Sequence, residues 1–299
     1  YRCRFFVADL HAITVPQDPA ALRRRTLEAV ASYLAVGIDP AQASFFVQSE
    51  VPEHAELQWI LCTIARLGEM ERMTQFKDKS QKGERERVGM GLLSYPILMA
   101  ADILLYDADV VPVGEDQVQH LELARDLARR FNERFGDTFK LPQPLLQAHG
   151  ARIMSLADAA KKMSKSDEQQ HGTIFLDDTD ETIRKKIKRA VTDTDGTVRF
   201  DPEAKPALAN LLTIFHHASG EAIDALERRF AGQGYGAFKD ALAEAVIDLV
   251  RPIRTRMQAF TADPGELHAI LDQGREEARA AAQAKLATVK DRIGLGRSR

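Results

Sequence analysis

The spacing of apolar positions changes character along the chain. Near the start, Arg4-Phe5-Phe6-Val7-Ala8 is an apolar run too short for a helix, and it reads as a buried parallel strand leading into Asp9-Leu10-His11. Asp18-Pro19 supplies an N-cap and a proline at the first helical position. Leu22, Leu27, Val30 and Leu34 then mark one buried face before Gly37 stops the helix. Residues 44–48 form the next apolar run, so strand, helix and strand follow at the spacing of a parallel βαβ crossover. Helical segments are expected over 53–66 and 69–76, whereas 74–91 has no sustained period and reads as a flexible connection. From 94 to 108 the pattern is helical again and puts Tyr95, Met99, Asp102, Ile103 and Tyr106 on one face. Residues 110–113 read as a short strand, which Gly114-Glu115-Asp116-Gln117 turns into a helix with Leu121, Leu127, Ala128 and Phe131 inward and Gly136 at its end. A last short strand is expected over 173–176.

Beyond residue 178 the alternation of strands stops. Helical patterns run over 182–190, 207–217, 223–230, 235–257 and 264–293. The expected fold is therefore α/β, a Rossmann-like parallel sheet over residues 1–177 with an appended all-α domain over 178–299.

Composition narrows the function classes. A chain of 299 residues, 44% of them hydrophobic, buries a sizeable core, and a net charge of −3 confines any nucleic-acid contact to local patches such as Lys185-Lys186-Ile187-Lys188-Arg189. Two cysteines, Cys3 and Cys62, build neither a disulfide framework nor a zinc site, so a reducing cytoplasm is the expected compartment. No apolar run approaches the length of a membrane span, and no membrane association is expected.

Three stretches carry candidate chemistry. Lys161-Lys162-Met163-Ser164-Lys165-Ser166 sets ammonium groups among hydroxyls in a compact cationic loop, entered through Gly150-Ala151-Arg152-Ile153-Met154-Ser155. Lysines on flexible stems can follow a departing pyrophosphate, and the natural guest of such a loop is ATP. Most Lys/Ser runs are only solvated surface, but the order K-M-S-K-S is much less generic. Asp102 sits within an apolar stripe, where an isolated carboxylate is expensive to bury, so it must be paired, protonated or serving a ligand. The Gly114 turn presents backbone N–H groups and a helix dipole to an anion, and His11, beyond a strand's carboxyl end, is a candidate pocket wall.

Together, DLHAIT from Asp9, RMTQFKDKS from Arg72, YPILMAADILLY from Tyr95, VPVGEDQVQH from Val111, GARIMSL, KKMSKSD and KRAVTD from Lys188 resemble the bacterial-type tryptophanyl-tRNA synthetases, a class I aminoacyl-tRNA synthetase family. The resemblance runs the length of the chain. It implies a Rossmann catalytic domain, a helical anticodon-binding domain, a homodimer, and ligation of L-tryptophan to tRNA(Trp) through tryptophanyl-adenylate. Residue by residue, it implies a tryptophan pocket of His11, Tyr95, Met99, Asp102, Ile103, Val111, Val113 and Gln117. The implied ATP site is Gly114, Glu115, Asp116, Ile153, Lys162, Met163, Ser164, Lys165 and Ser166. Lys162, Lys165 and Lys79 would serve catalysis at the phosphates, with Mg²⁺ held mainly by the ATP phosphates and water. Two other readings stay open, a tyrosine-specific relative and a non-catalytic RNA-binding paralogue.

The family's first signature, a Gly/Pro-rich turn followed by a HIGH-like tetrapeptide, does not occur in this sequence. The expectation is that about 30 residues precede Tyr1, carrying a strand and a phosphate-binding turn. A protein of these residues alone would then be less stable and form no adenylate.

Overall fold

The computed structural model describes residues 2–74, 76–77, 89–146, 152–164 and 170–297. Lys79, Lys165 and Ser166 lie outside them. The chain divides into two compact units, Tyr1–Ala148 with Phe260–Arg299, and His149–Ala259.

In the first unit, β1 (Cys3–Val7), α1 (Asp9–Ala12), α2 (Pro19–Ala35) and β2 (Ala43–Val47) form the expected crossover. The strands pair in parallel with Phe5 opposite Phe45 and Phe6 opposite Phe46. Because side chains alternate along a strand, these pairs serve opposite faces of the sheet. Phe5 and Phe45 stack at 5.5 Å and pack with Val30, Leu34 and Leu271, while Phe6 and Phe46 stack at 5.4 Å over a core that includes Leu57, Leu61, Leu104 and Phe131. The helices α3 (Glu53–Cys62), α4 (Leu67–Glu71), α5 (Met90–Leu104) and α6 (Val118–Phe135) surround that second core. Asp18 accepts the Ala21 N–H at 2.7 Å as the N-cap of α2, and Gly136, with φ of 91°, ends α6. A second parallel pair, β3 (Val110–Val113) with β4 (Gln143–Leu146), contains a strand that the apolar pattern does not reveal. Pro144 and a largely exposed face disguise it as loop.

The second unit is built on α7 (Asp180–Arg189), α8 (Pro206–Ser219), α9 (Ile223–Phe230) and most of α10 (Gly234–Ala262). Phe215, Phe230 and Phe238 meet at its centre with ring centroids 5.5 to 5.9 Å apart. The KRAVTD motif is drawn into a clamp here. Lys205, nearly buried, donates to Asp193 at 3.3 Å, to the Thr197 carbonyl at 3.0 Å and to the Tyr235 hydroxyl at 3.1 Å, and it also pairs with Asp195. The strand expected over 173–176 is not formed. Gln170–Gly172 is a 3-10 turn, the Phe175 N–H donates to the Asp178 carboxylate at 2.8 Å, and Lys186 pairs with Asp178 at 2.6 Å, so this run folds back on itself instead of joining a ladder. Among the described residues no helix is long and apolar enough to cross a membrane.

The division expected at residues 177 and 178 is not where the compact units part. The last helix, α11 (Gly265–Ile293), packs in the first unit, with Leu267 and Leu271 on the Phe45 face and Ala278, Ala282, Leu286 and Val289 in the larger core. Its small residues allow this. At Gly274 an added methyl group would overlap the Phe45 carbonyl, so the helix rests directly on the β2 backbone. Gly274→Ala should therefore lower stability by about 1–3 kcal/mol or more through overpacking, exceeding the ~1 kcal/mol that Ala gains over Gly in a helix. A urea midpoint equal to or above that of the unaltered protein would contradict this close approach.

The second unit also contains an acid-sensitive contact. Thr179 caps α7, and the adjacent Asp180 accepts from Arg251 at 2.8 and 3.0 Å and from Arg254 at 2.6 Å. Hydrogen bonds from these two guanidinium groups hold the Asp180 carboxyl down at about 2. A carboxyl depressed in the folded state contributes stability that is fully present above its ordinary value and is lost as the pH falls through the folded one. Between about pH 4 and about pH 2, the melting temperature should fall more steeply for the unaltered protein than for Asp180→Asn. Parallel acid limbs in calorimetry would remove Asp180 from this role.

Candidate active site

At the carboxyl end of β1 the chain opens a cavity of about 360 Å³, lined by Phe6, Ala8, His11, Tyr95, Leu98, Met99, Asp102 and Gln117. Tyr95, Leu98, Met99 and Asp102 follow the i, i+3, i+4, i+7 rhythm of one face of α5. His11 reaches the cavity from α1 and stands edge-on to Tyr95 with ring centroids 4.7 Å apart. The Tyr95 hydroxyl meets His120 Nε2 at 2.7 Å, and His120 is 1% exposed. Burial pushes the Tyr95 phenol up to about 12 and pulls the His120 imidazolium below its ordinary value, so this wall is polar and favours uncharged groups.

The carboxylate in this wall is paired, as an acid in an apolar stripe must be. His54 Nδ1 lies 2.6 Å from Asp102 Oδ1, and Gln48 Nε2 donates to Oδ1 at 2.8 Å and to Oδ2 at 2.9 Å. On its other side His54 Nε2 is 2.8 Å from the Tyr106 hydroxyl, while Gln48 Oε1 accepts from the His11 N–H at 3.4 Å. His54 and Gln48 are fully buried. Burial, and then the Asp102 charge, push the Tyr106 phenol upward, so it too stays protonated. His54 and Gln48 carried no local signal. They lie 48 and 54 residues from Asp102 in sequence, and only the requirement that Asp102 find partners pointed toward them.

Of the residues expected around the indole, His11, Tyr95, Met99, Asp102 and Gln117 line this one cavity. Ile103 and Val111 line instead a neighbouring cleft of about 440 Å³ between β1 and β3, which Asp102 also borders. Val113 packs against the larger core. Phe6, Ala8 and Leu98 are cavity residues that the sequence reading missed. After Val113, Gly114 is extended and Glu115–Gln117 forms a 3-10 turn closed by the Gln117 N–H on the Gly114 carbonyl at 2.9 Å. Gln117 Nε2 donates to Asp116 at 2.9 Å.

The lysine loop belongs to the second unit, where Met154 and Lys162 form an antiparallel bridge. The Ser155 N–H donates to the Lys161 carbonyl at 2.8 Å, and the Met163 N–H to the Ile153 carbonyl at 3.0 Å. Asn210 fixes this hairpin by bonding both the N–H and the carbonyl of Met154, at 2.8 and 2.9 Å, and Thr173 Oγ1 donates to the Ser164 carbonyl at 2.8 Å. Ile153 and Met163 thus come together in an apolar cavity of about 180 Å³ with Ile174, Ile214 and Val246, while Lys162 is exposed. The described parts of the two motifs, residues 152–156 and 161–164, are therefore the two arms of one hairpin, the first anchored by Asn210 and the second carrying Lys161 and Lys162.

Residues 1–251 match the family described as tRNA synthetases class I (W and Y). The chain is 53% identical over 297 residues to a tryptophan–tRNA ligase of Oceanobacillus iheyensis, a match that covers 99% of this chain and 90% of the relative. It is 52% identical over 299 residues to that of Bacillus subtilis, covering 100% and 90%. Among solved structures, the tryptophanyl-tRNA synthetase of Mycoplasma pneumoniae superposes with a TM-score of 0.85 at 41% identity, over 97% of this chain and 88% of that one. The Campylobacter jejuni enzyme complexed with ADP and tryptophan gives a TM-score of 0.85 at 38% identity, over 97% and 89%. With a Rossmann-like sheet, an aromatic cavity lined by an acid and a hairpin that carries Lys162, the chain belongs to the class I tRNA synthetases of the tryptophan and tyrosine group.

Proposed function

We propose that the protein is a tryptophan–tRNA ligase that activates L-tryptophan with ATP and transfers it to the 3′ end of tRNA(Trp). The observation that carries the reading is Asp102. A carboxylate offers about four acceptor positions. His54 and Gln48 occupy both on Oδ1 and Gln48 one on Oδ2, leaving a position for the single N–H of an indole in a cavity that Phe6, Tyr95, Leu98 and Met99 also line. The tryptophan ligases at 52–53% identity support indole over phenol.

Tryptophan's carboxylate attacks the α-phosphorus of ATP in line, releasing pyrophosphate and forming the adenylate. A ribose hydroxyl of the tRNA then displaces the adenylate's AMP. The protein contributes orientation and charge rather than a covalent intermediate. In this reading Tyr95, Met99 and His11 hold the ring, and Gln117 lines the same cavity. The Gly114–Asp116 turn and Ile153 receive the nucleotide, and Lys162, with Lys165 and Lys79, meets charge accumulating on the pyrophosphate. Mg²⁺, as part of the nucleotide substrate, would be held by its phosphates and would supply charge neutralisation there. The helices after residue 178 carry the anticodon contact, and the working form is a cytoplasmic homodimer.

Isotope exchange between pyrophosphate and ATP, run on the full-length protein with each of the twenty amino acids, tests the reading. Tryptophan alone should support exchange. Exchange with tyrosine instead would make the protein a tyrosine-specific relative, and none with any amino acid would favour a non-catalytic RNA-binding role.

A further inference from the structure

We infer that His54 and Gln48 are positioning residues that set the specificity of the cavity by locking the orientation of the Asp102 carboxylate. The inference rests on the reading of Asp102 as acceptor of the indole N–H. A carboxylate on a lone Cα–Cβ–Cγ stem turns freely about its last bond, since that torsion is broad. Left so, it would present either oxygen, at varying angles, to a ligand. Here rotation is blocked. Gln48 Nε2 spans both oxygens at 2.8 and 2.9 Å, and His54 adds a third bond to Oδ1 at 2.6 Å, which fixes Oδ2 as the oxygen with a position to spare.

The clamp is itself held. The His54 ring lies against Phe6, Phe46 and Tyr106 with centroids 5.6, 5.9 and 5.4 Å away, and its Nε2 meets the Tyr106 hydroxyl at 2.8 Å. That second contact orients the ring so that Nδ1 addresses the carboxylate, the arrangement by which a histidine's outer partner fixes its inner one. Gln48 is oriented in turn by the His11 N–H on its carbonyl oxygen. Because His11 is also a wall of the cavity, one side chain ties the ring-binding wall to the acceptor. An acceptor fixed before the ligand arrives loses no orientational freedom on binding, so the clamp favours a ligand that donates at that point over one that does not.

The test compares tryptophan with β-(3-benzothienyl)alanine, an isostere whose ring carries sulfur in place of N–H, by calorimetric Kd on the purified protein. His54→Phe keeps a ring of similar size and removes the donor, whereas His54→Asn retains an N–H near the position of Nδ1. His54→Phe should raise the Kd for tryptophan and leave that for the analogue, narrowing the ratio by about tenfold, as expected for a charge-assisted hydrogen bond that is weakened. His54→Asn should restore most of the ratio. If His54→Phe does not fold, Gln48→Met, which removes the other donor, should narrow the ratio in the same way. Equal weakening of both ligands in the folded variants, with no recovery in His54→Asn, would overturn the inference and leave His54 as packing alone. Asp102→Ala, measured alongside, separates the two levels. If it narrows the ratio while the His54 and Gln48 variants do not, the clamp is wrong and the acceptor stands. If it too leaves the ratio unchanged, Asp102 is not the acceptor and the inference falls with that reading.

Discussion

Asp102→Ala should largely abolish the preference of the protein for tryptophan over phenylalanine in adenylate formation. In the unaltered protein, phenylalanine brings no donor and would fill the cavity while leaving the last Oδ2 position of a 9% exposed carboxylate unsatisfied. Sites built to hydrogen-bond a substrate group reject an analogue lacking it by about 10⁴-fold or more, because a buried polar atom then loses water and gains nothing. Removing the carboxylate removes that penalty for phenylalanine and the bond for tryptophan together. The Trp/Phe ratio of kcat/KM in competition should therefore collapse, while the thermal melt reports separately on the cost of stranding His54 and Gln48. An unchanged ratio would take Asp102 out of recognition and shift attention to Gln117, whose amide oxygen is another acceptor in the cavity lining.

Lys162→Ala should lower kcat for tryptophan activation by about 100- to 1000-fold, the usual loss of about 2.7–4 kcal/mol when a preorganised charge contact at developing negative charge is removed. The KM for tryptophan should change little, since the contact proposed for Lys162 is to the pyrophosphate as it leaves and not to the amino acid. The fold should be unaffected. Lys162 is exposed, and the hairpin is held through backbone groups of Ile153, Ser155, Lys161 and Met163 and by Asn210, none of which uses the Lys162 side chain. Near-normal single-turnover adenylate formation in Lys162→Ala would reduce the loop to solvated surface. Asn210→Ala offers a complementary measurement. It strips the anchor of Met154 while leaving every lysine in place, so a loss of kcat in that variant would show that the rigidity of the first arm matters as well as the charge on the second.

Much of this protein was determined by local sequence. The Asp18-Pro19 start and Gly37 stop of α2, the apolar face of α6 and the helical patterns from 206 to 293 reappear within a few residues of their expected bounds. Caps, turn glycines and periodicity act over a turn or two of chain, so they are legible without the fold. The same holds for the acid in the stripe of α5, for KMSKS and for GEDQ, whose residue types announce their chemistry. Four features were decided only in three dimensions. Gln143–Leu146 became a strand because β3 offered it a parallel partner, and residues 173–176 did not because Asp178 captured the Phe175 N–H first. The last helix joined the first unit because Gly274 allows it to touch the β2 backbone, a fit that depends on the shape of a surface some 230 residues earlier (Phe45 to Gly274). His54 and Gln48 gained their meaning from Asp102. A buried carboxylate must be satisfied by something, but which distant side chains do so depends on how α3 and the end of β2 pack beside α5, and pairing across such separations leaves no periodicity in the sequence.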